Sequence, residues 1–190
     1  MGKAADNLIW IDMEMSGLDP EICHPLEIAT LVTDSQLNIL AEGPNLVIHQ
    51  PDSVLEAMDE WNMDHHTASG LYEAVQQSRV SVQEAESLTL SFLTQWTEPG
   101  RSPLCGNSIG QDRRFIRRYM PGLNLHLNYR VIDISSIKEL AWRWYELKPP
   151  RKREAHRARG DIIESIEELR FYRQSIFVDE SMFAEPPPGQ

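Results

Sequence analysis

Five residues have types and spacing that could do chemistry together. The stretch "LIWIDMEMSGLDP" (8–20) carries Asp12 and Glu14 straight after an apolar run. On a β-strand, residues i and i+2 point to one face, so the two carboxylates stand close together. Like charges that close raise one pKa unless a cation offsets them. Asp112 falls in the first turn of a helix expected over 110–120, on the face that Phe115, Ile116 and Tyr119 mark as buried. In "HRARGD", His156 precedes Asp161 by five positions at the start of the last helix. Asp161 sits at the edge of the Ile162, Ile166 and Leu169 stripe, so helical facing does not settle its direction.

Each residue alone has an ordinary explanation. Asp-x-Glu is a common strand end that reaches water. An aspartate at a helix N-terminus is favoured by the helix dipole, and His156 alone would be a solvated loop histidine. Together they offer four oxygen ligands and no thiolate, which suits hard cations such as Mg²⁺ or Mn²⁺. Two such ions roughly 4 Å apart can flank a phosphodiester, one activating water and the other stabilising the leaving 3′-oxygen. A histidine nearby can take the proton from that water.

The elements that must position these groups follow from hydrophobic spacing and turn signals. Strands are expected at 7–15, 26–34 and 37–50, the last broken at Gly43-Pro44, forming a meander. The spacing of Val54, Leu55, Met58 and Trp61 predicts a helix over 52–62. Ser81 and Glu84 form a capping box at the start of a helix over 81–96. A short strand at 102–108 leads to the 110–120 helix. A strand at 129–135 follows, with Ser135 or Ser136 capping the helix "IKELAWRWYEL". The basic, Pro-broken stretch 146–161 is expected to be a mobile loop, and the last helix to span 161–177. This order predicts one α/β domain over 1–180 with a central mixed sheet, and a disordered Pro-rich tail at 181–190.

Composition narrows the class. The 190 residues are 41% apolar and 25% charged, as in an ordinary globular domain. No apolar run approaches the roughly 20 residues of a bilayer span, and "MGKAADN" lacks a signal-peptide core. With two cysteines in no metal-type spacing, reduced thiols and a cytoplasmic location are expected. The net charge of −11 argues against non-specific binding to long duplexes. It leaves room for a short nucleic acid held by a few local contacts and metal ions.

The joint pattern Asp12-x-Glu14, Asp112 and His156-x4-Asp161 resembles the DEDD exonucleases in their histidine-bearing (DEDDh) form. "LIWIDMEMSGLDP", "EIATLVTD", "ILAEGPNLVIHQ", "HTASGL", "CGNSIGQDRRF" and "YRVIDISSIKELA" are similar, almost segment by segment, to the oligoribonuclease family. The resemblance covers roughly residues 7 to 176. It implies a ribonuclease-H-like fold, a homodimer and two divalent ions, with release of 5′-mononucleotides from the 3′ end of very short RNAs. Dinucleotides would be favoured, including linear products of cyclic dinucleotides. By this match Asp12, Glu14, Asp112 and Asp161 are metal ligands and His156 the general base. Leu18 matches a wedge against the bases, and Trp61 an aromatic near the 3′ nucleotide. From the residues alone, Leu18 is a buried turn leucine and Trp61 equally well a core residue. His66, Ser108, Arg130 and Ser135 match a pocket for the 5′ phosphate, with His66, Tyr129 and Arg130 supplied by the partner subunit. A fork of arginine donors and neutral hydroxyls suits a phosphate. Capping that phosphate would measure substrate length, which an acidic protein can do without a basic track.

The chain departs from the family pattern just before Asp161, where Arg159 and Gly160 replace an apolar and an acidic residue. Gly160 predicts a late or frayed start to the last helix. Two other functions stay open at this level. One is a DEDDh exonuclease trimming longer strands, for which a basic groove would be expected. The other is a catalytically impaired nucleotide-binding relative.

Overall fold

The computed structural model describes residues 6–149 and 157–178. Its sheet has five strands in the order β3-β2-β1-β4-β5. These are β1 (Leu8–Met15), β2 (Pro25–Thr33), β3 (Ile39–Val47), β4 (Leu104–Gly106) and β5 (Val131–Asp133). The β1-β2 and β2-β3 pairs are antiparallel, while β1-β4 and β4-β5 are parallel. The meander and the mixed sheet are therefore as expected. The helices are α1 (Asp52–Leu55), α2 (Glu60–Ala68), α3 (Leu71–Gln77), α4 (Val82–Trp96), α5 (Gly110–Tyr119), α6 (Pro121–His126), α7 (Ile134–Tyr145) and α8 (Ala158–Ile176).

The alternation of β1 sorts the molecule into two layers. Ile9, Ile11 and Met13 face one side, packed with Ala85 and Leu93 of α4, Phe115 and Ile116 of α5, and Leu123 of α6. Trp10 faces the other, packed with Ile134 and Ala141 of α7 and with Ile162, Ile166 and Tyr172 of α8. The Trp10 ring is fully buried, and its N–H donates to the Thr33 hydroxyl at 3.0 Å. Burying a large apolar side chain contributes roughly 1.5–3 kcal/mol, so each face of β1 helps to hold the layer packed on it. Asp12 and Glu14 continue the Trp10 parity and so belong to the α8 side.

Three expectations about helices need correction. The segment 52–62 is not one helix: α1 ends at Leu55 and α2 begins at Glu60. Asp59 caps α2 by accepting from the Asn62 N–H at 2.8 Å, which resets the helical phase. Leu55 and Met58 stay buried, while Trp61 is 68% exposed. The N-cap of α7 is Asp133, accepting from the Ser135 N–H at 2.9 Å, instead of Ser135 or Ser136. Helix α8 starts at Ala158, three residues before Asp161, despite Gly160. The expected capping box on α4 is half present, with the Ser81 hydroxyl accepting from the Glu84 N–H at 3.1 Å. Residues 150–156 of the expected mobile loop, His156 among them, and the expected tail at 181–190 lie outside the described residues, while 158–161 of that loop belong to α8.

Candidate active site

The end of β1 and the start of α8 build the candidate site. Because α8 packs over the Trp10 face, its first turn lies above Asp12 and Glu14. Carboxylate oxygens of Asp12, Glu14 and Asp161 lie within 4.8 Å of one another, all three residues half-buried. These residues are up to 149 positions apart, and no local signal brings them together.

Asp112 approaches from the opposite layer. Helix α5 covers the odd-numbered face of β1, and the Asp112 carboxylate accepts the Met13 backbone N–H at 3.0 Å. It is buried, as its helical face predicts. Asp112 thus meets β1 through the backbone between the other two acids, which makes it a floor under the cluster.

Electrostatics at this end are unbalanced. Burial, then the charges of Asp161, Glu27 and Asp112, push the Glu14 carboxyl up to about 8, with Arg157 acting in the opposite direction. Burial pushes Asp112 up to about 7, against two backbone N–H bonds that lower it, and the Asp133 charge adds to the rise. A cation bound at this cluster would offset these charges. Oxygen donors in this density select a hard divalent ion over a soft one.

The second group of expected residues lies where β4 and β5 end. Ser108 has a left-handed backbone (φ 51°). Its N–H donates to Asp133 Oδ1 at 3.1 Å and lies 3.0 Å from Ser135 Oγ. The Ser108 and Ser135 hydroxyls are 3.1 Å apart, and Ser135 Oγ donates to Asn107 Oδ1 at 3.2 Å. Asn107 in turn donates to Ser165 Oγ at 2.8 Å, and Ser165 Oγ donates to the Asp161 carbonyl at 2.8 Å. One chain of hydrogen bonds therefore links the serine pair to the α8 turn that bears Asp161.

Leu18 and Trp61 are both exposed, at 74% and 68%, so neither is a core residue. The Leu18 carbonyl accepts from the Gln111 side-chain amide, while its side chain is left to solvent. Trp61 stacks on His65 with centroids 4.7 Å apart. Tyr129 and Arg130 are exposed just before β5, the Arg130 guanidinium lying 5.1 Å from the Tyr129 ring centre. His66 packs into the fold. It is buried inside its own chain, with Nε2 donating to the Met15 carbonyl at 2.9 Å. Burial lowers its pKa, so the ring is neutral and presents an acceptor at Nδ1. His66 props the end of β1.

Sequence reasoning missed Glu27 and Arg157. Glu27 is fully buried, faces the α8 side opposite Glu14, and holds Arg157 through a forked pair with contacts of 2.8–3.2 Å. The available signal was a lone acid inside "PLEIATLVT", a strand buried at every position. It also missed Asn107, whose hydrogen-bond partners come from two separate helices, Ser135 of α7 and Ser165 and Glu168 of α8. Arg159, noted as a departure, reaches across to Glu42 of β3 at 2.6 Å.

Comparison with known proteins agrees with this architecture. Residues 9–169 match the RNase T exonuclease family. The chain is 57% identical over 176 residues to the oligoribonuclease of Dichelobacter nodosus, covering 93% of this chain and 98% of that one. It is 57% identical over 179 residues to the Vibrio cholerae oligoribonuclease, covering 93% and 99%. It is 54% identical over 179 residues to that of Escherichia coli K12, covering 92% and 97%. Among solved structures, exonuclease I superposes with a TM-score of 0.69 at 15% identity, over 89% of this chain and 41% of that one. E. coli exonuclease I in complex with a dT13 oligonucleotide gives 0.67 at 17% identity, over 88% and 41%. At such identities the likeness speaks for a shared fold, the ribonuclease-H-like one expected.

Proposed function

The chain belongs to the RNase T exonuclease family and to the oligoribonucleases within it, and from that premise we propose a 3′-to-5′ exoribonuclease specialised for dinucleotides. The observation that carries this reading is the convergence of Asp12, Glu14 and Asp161 within 4.8 Å. Asp112 completes the set from below.

In this reading Asp12, Glu14, Asp112 and Asp161 hold two divalent cations, Mg²⁺ or Mn²⁺. Bound there, such ions would supply Lewis acidity, acidifying a water and offsetting charge at the leaving 3′-oxygen. The carboxylates' remaining task is to keep that charge fixed in space, so that little reorganisation is needed as the phosphate becomes more negative. His156 takes the proton from the attacking water at a ring nitrogen. Leu18 and Trp61, both presented to solvent, fit a wedge against the bases and an aromatic near the 3′ nucleotide. The Ser108 hydroxyl and the Ser135 region fit the 5′ phosphate, closing the site after two nucleotides. Tyr129 and Arg130 are the natural contribution of a second copy, since both are exposed in a single chain and Arg130 carries the forked donors a phosphate needs. The active species is then a homodimer. Its substrates would include the linear products of cyclic dinucleotides. A cytoplasmic setting is in keeping with the two cysteines, which are free thiols.

The test is a cleavage assay with Mg²⁺ or Mn²⁺ on 5′-phosphorylated RNAs of two and of seven nucleotides, with an EDTA control. Rapid, EDTA-sensitive loss of the dinucleotide with much slower loss of the heptamer supports the proposal. Equal or faster loss of the heptamer would move the protein to a strand-trimming role. Negligible turnover of both, unchanged in Asp112→Ala, would leave a nucleotide-binding protein without catalysis.

A further inference from the structure

Glu27 poses a puzzle. A carboxylate fully withdrawn from solvent, on the strand position paired with Glu14, adds negative charge beside a cluster already crowded with it. It is not one of the three acids whose oxygens converge. Both of its oxygens point instead to the start of α8. Arg157 Nε lies 3.2 Å from Oε1 and 3.0 Å from Oε2, and Arg157 Nη2 donates to Oε1 at 2.8 Å. The Ala158 N–H approaches Oε2 at 3.4 Å.

The start of α8 needs this help. Its N-cap residue, Arg157, makes no side-chain cap of its own. Gly160 in the first turn is a poor helix former. The first N–H groups of any helix lack intrahelical partners, and here a carboxylate from β2 stands beside one of them. The Arg157 carbonyl then accepts from the Gly160 N–H at 2.8 Å and from the Asp161 N–H at 3.2 Å. A continuous path runs from Glu27 through the Arg157 guanidinium and backbone to the N–H of Asp161. The Arg159–Glu42 pair adds a second tie, between the same turn and β3.

We infer that Glu27 is a positioning residue: clamped to Arg157, it sets where Asp161 stands, and so sets metal affinity without touching the metal. This rests on the metal-site reading proposed above. The neutral Glu27–Arg157 pair anchors the turn while adding no net charge next to Glu14.

The test is a calorimetric titration of the full-length protein with Mn²⁺ alone, with thermal melts to confirm folding and with dinucleotide kinetics alongside. Glu27→Gln should weaken Mn²⁺ binding about tenfold, the lower end of what is lost when groups behind metal ligands are removed. At saturating Mn²⁺, kcat should return to within about threefold of wild type and KM should not change; a purely structural defect would not be recovered by the ion. Arg157→Lys keeps the charge but loses the fork, should weaken Mn²⁺ binding similarly, and carries the test if Glu27→Gln does not fold. The double variant Glu27→Gln/Arg157→Gln restores the charge balance without the clamp and should stay weak. Wild-type affinity in the double variant would show a charge effect only and overturn the inference. Equal affinity in wild type and Glu27→Gln would also overturn it while leaving the metal site intact. Absence of Mn²⁺ binding by the wild type would overturn the metal site and the inference with it.

Discussion

The two ends of the site are built on opposite principles. At the carboxylate end, Asp12, Glu14 and Asp161 crowd together over a buried Asp112, and burial, with the neighbouring charges, pushes Glu14 to about 8. At the serine end, Ser108, Asp133, Ser135 and Asn107 satisfy one another with short bonds among neutral groups and one carboxylate. The first is electrostatically unsettled and, in the proposed reading, would be balanced by a cation, whereas the second is already organised. Binding to the first should therefore change stability and protonation, whereas binding to the second should change neither by much.

The largest expected effect comes from removing an acid at the first end. Asp112→Asn should lower kcat by about two to three orders of magnitude, as when one preorganised electrostatic group is lost. In EDTA at pH 8 the same variant should melt higher than wild type, because a buried charge is gone. A lower melting point there would break the contrast. Next comes pH. The folded-state pKa values of Glu14 and Asp112 are raised above their ordinary values of 4.5 and 3.8. The stability associated with their protonated forms is thus fully present below about pH 4 and is lost as pH rises through about 7 and 8. Melts in EDTA should fall across that window, and Mn²⁺ affinity should rise across it as the ion displaces protons. A flat profile in both would sink the charge-crowding account.

At the serine end the effect should be smaller and confined to substrate. Ser108→Ala should raise KM for a 5′-phosphorylated dinucleotide about five- to tenfold, the worth of roughly one solvent-accessible hydrogen bond. A dinucleotide lacking the 5′ phosphate should show no change, and an equal loss on both substrates would deny the serine pair its role. The smallest effect is expected at Arg159. Its pair with Glu42 is half exposed on both sides, so Arg159→Ala should cost less than about 1 kcal/mol in a denaturant melt.

Much of this was legible beforehand, and the misses have physical causes. The parity of Asp12 and Glu14 follows from strand geometry, and the inward direction of Asp112 from the helical spacing of Phe115 and Ile116. Trp61 was misphased because the Asp59 cap restarts the helix there, and such a cap competes with a hydrophobic pattern that continues across it. Gly160 did not delay α8, because the intrinsic preference of one residue is outweighed by anchoring from β2 and by the burial of Ala158. Glu27 escaped notice because a single acid in an apolar strand has no spacing partner to give it meaning.

By itself the sequence determined the residue types at the site, the strand that carries two of them, and the face they share, since alternation along a strand is a local property of the backbone. Only the tertiary structure decided that α8 covers the even-numbered face of β1 and α5 the odd one. That choice brings Asp161 over Asp12 and Glu14, sets Asp112 beneath Met13, and gives Glu27 its arginine. What covers a face is decided by how the whole sheet buries its apolar side chains at once, and no local stretch of sequence contains that information.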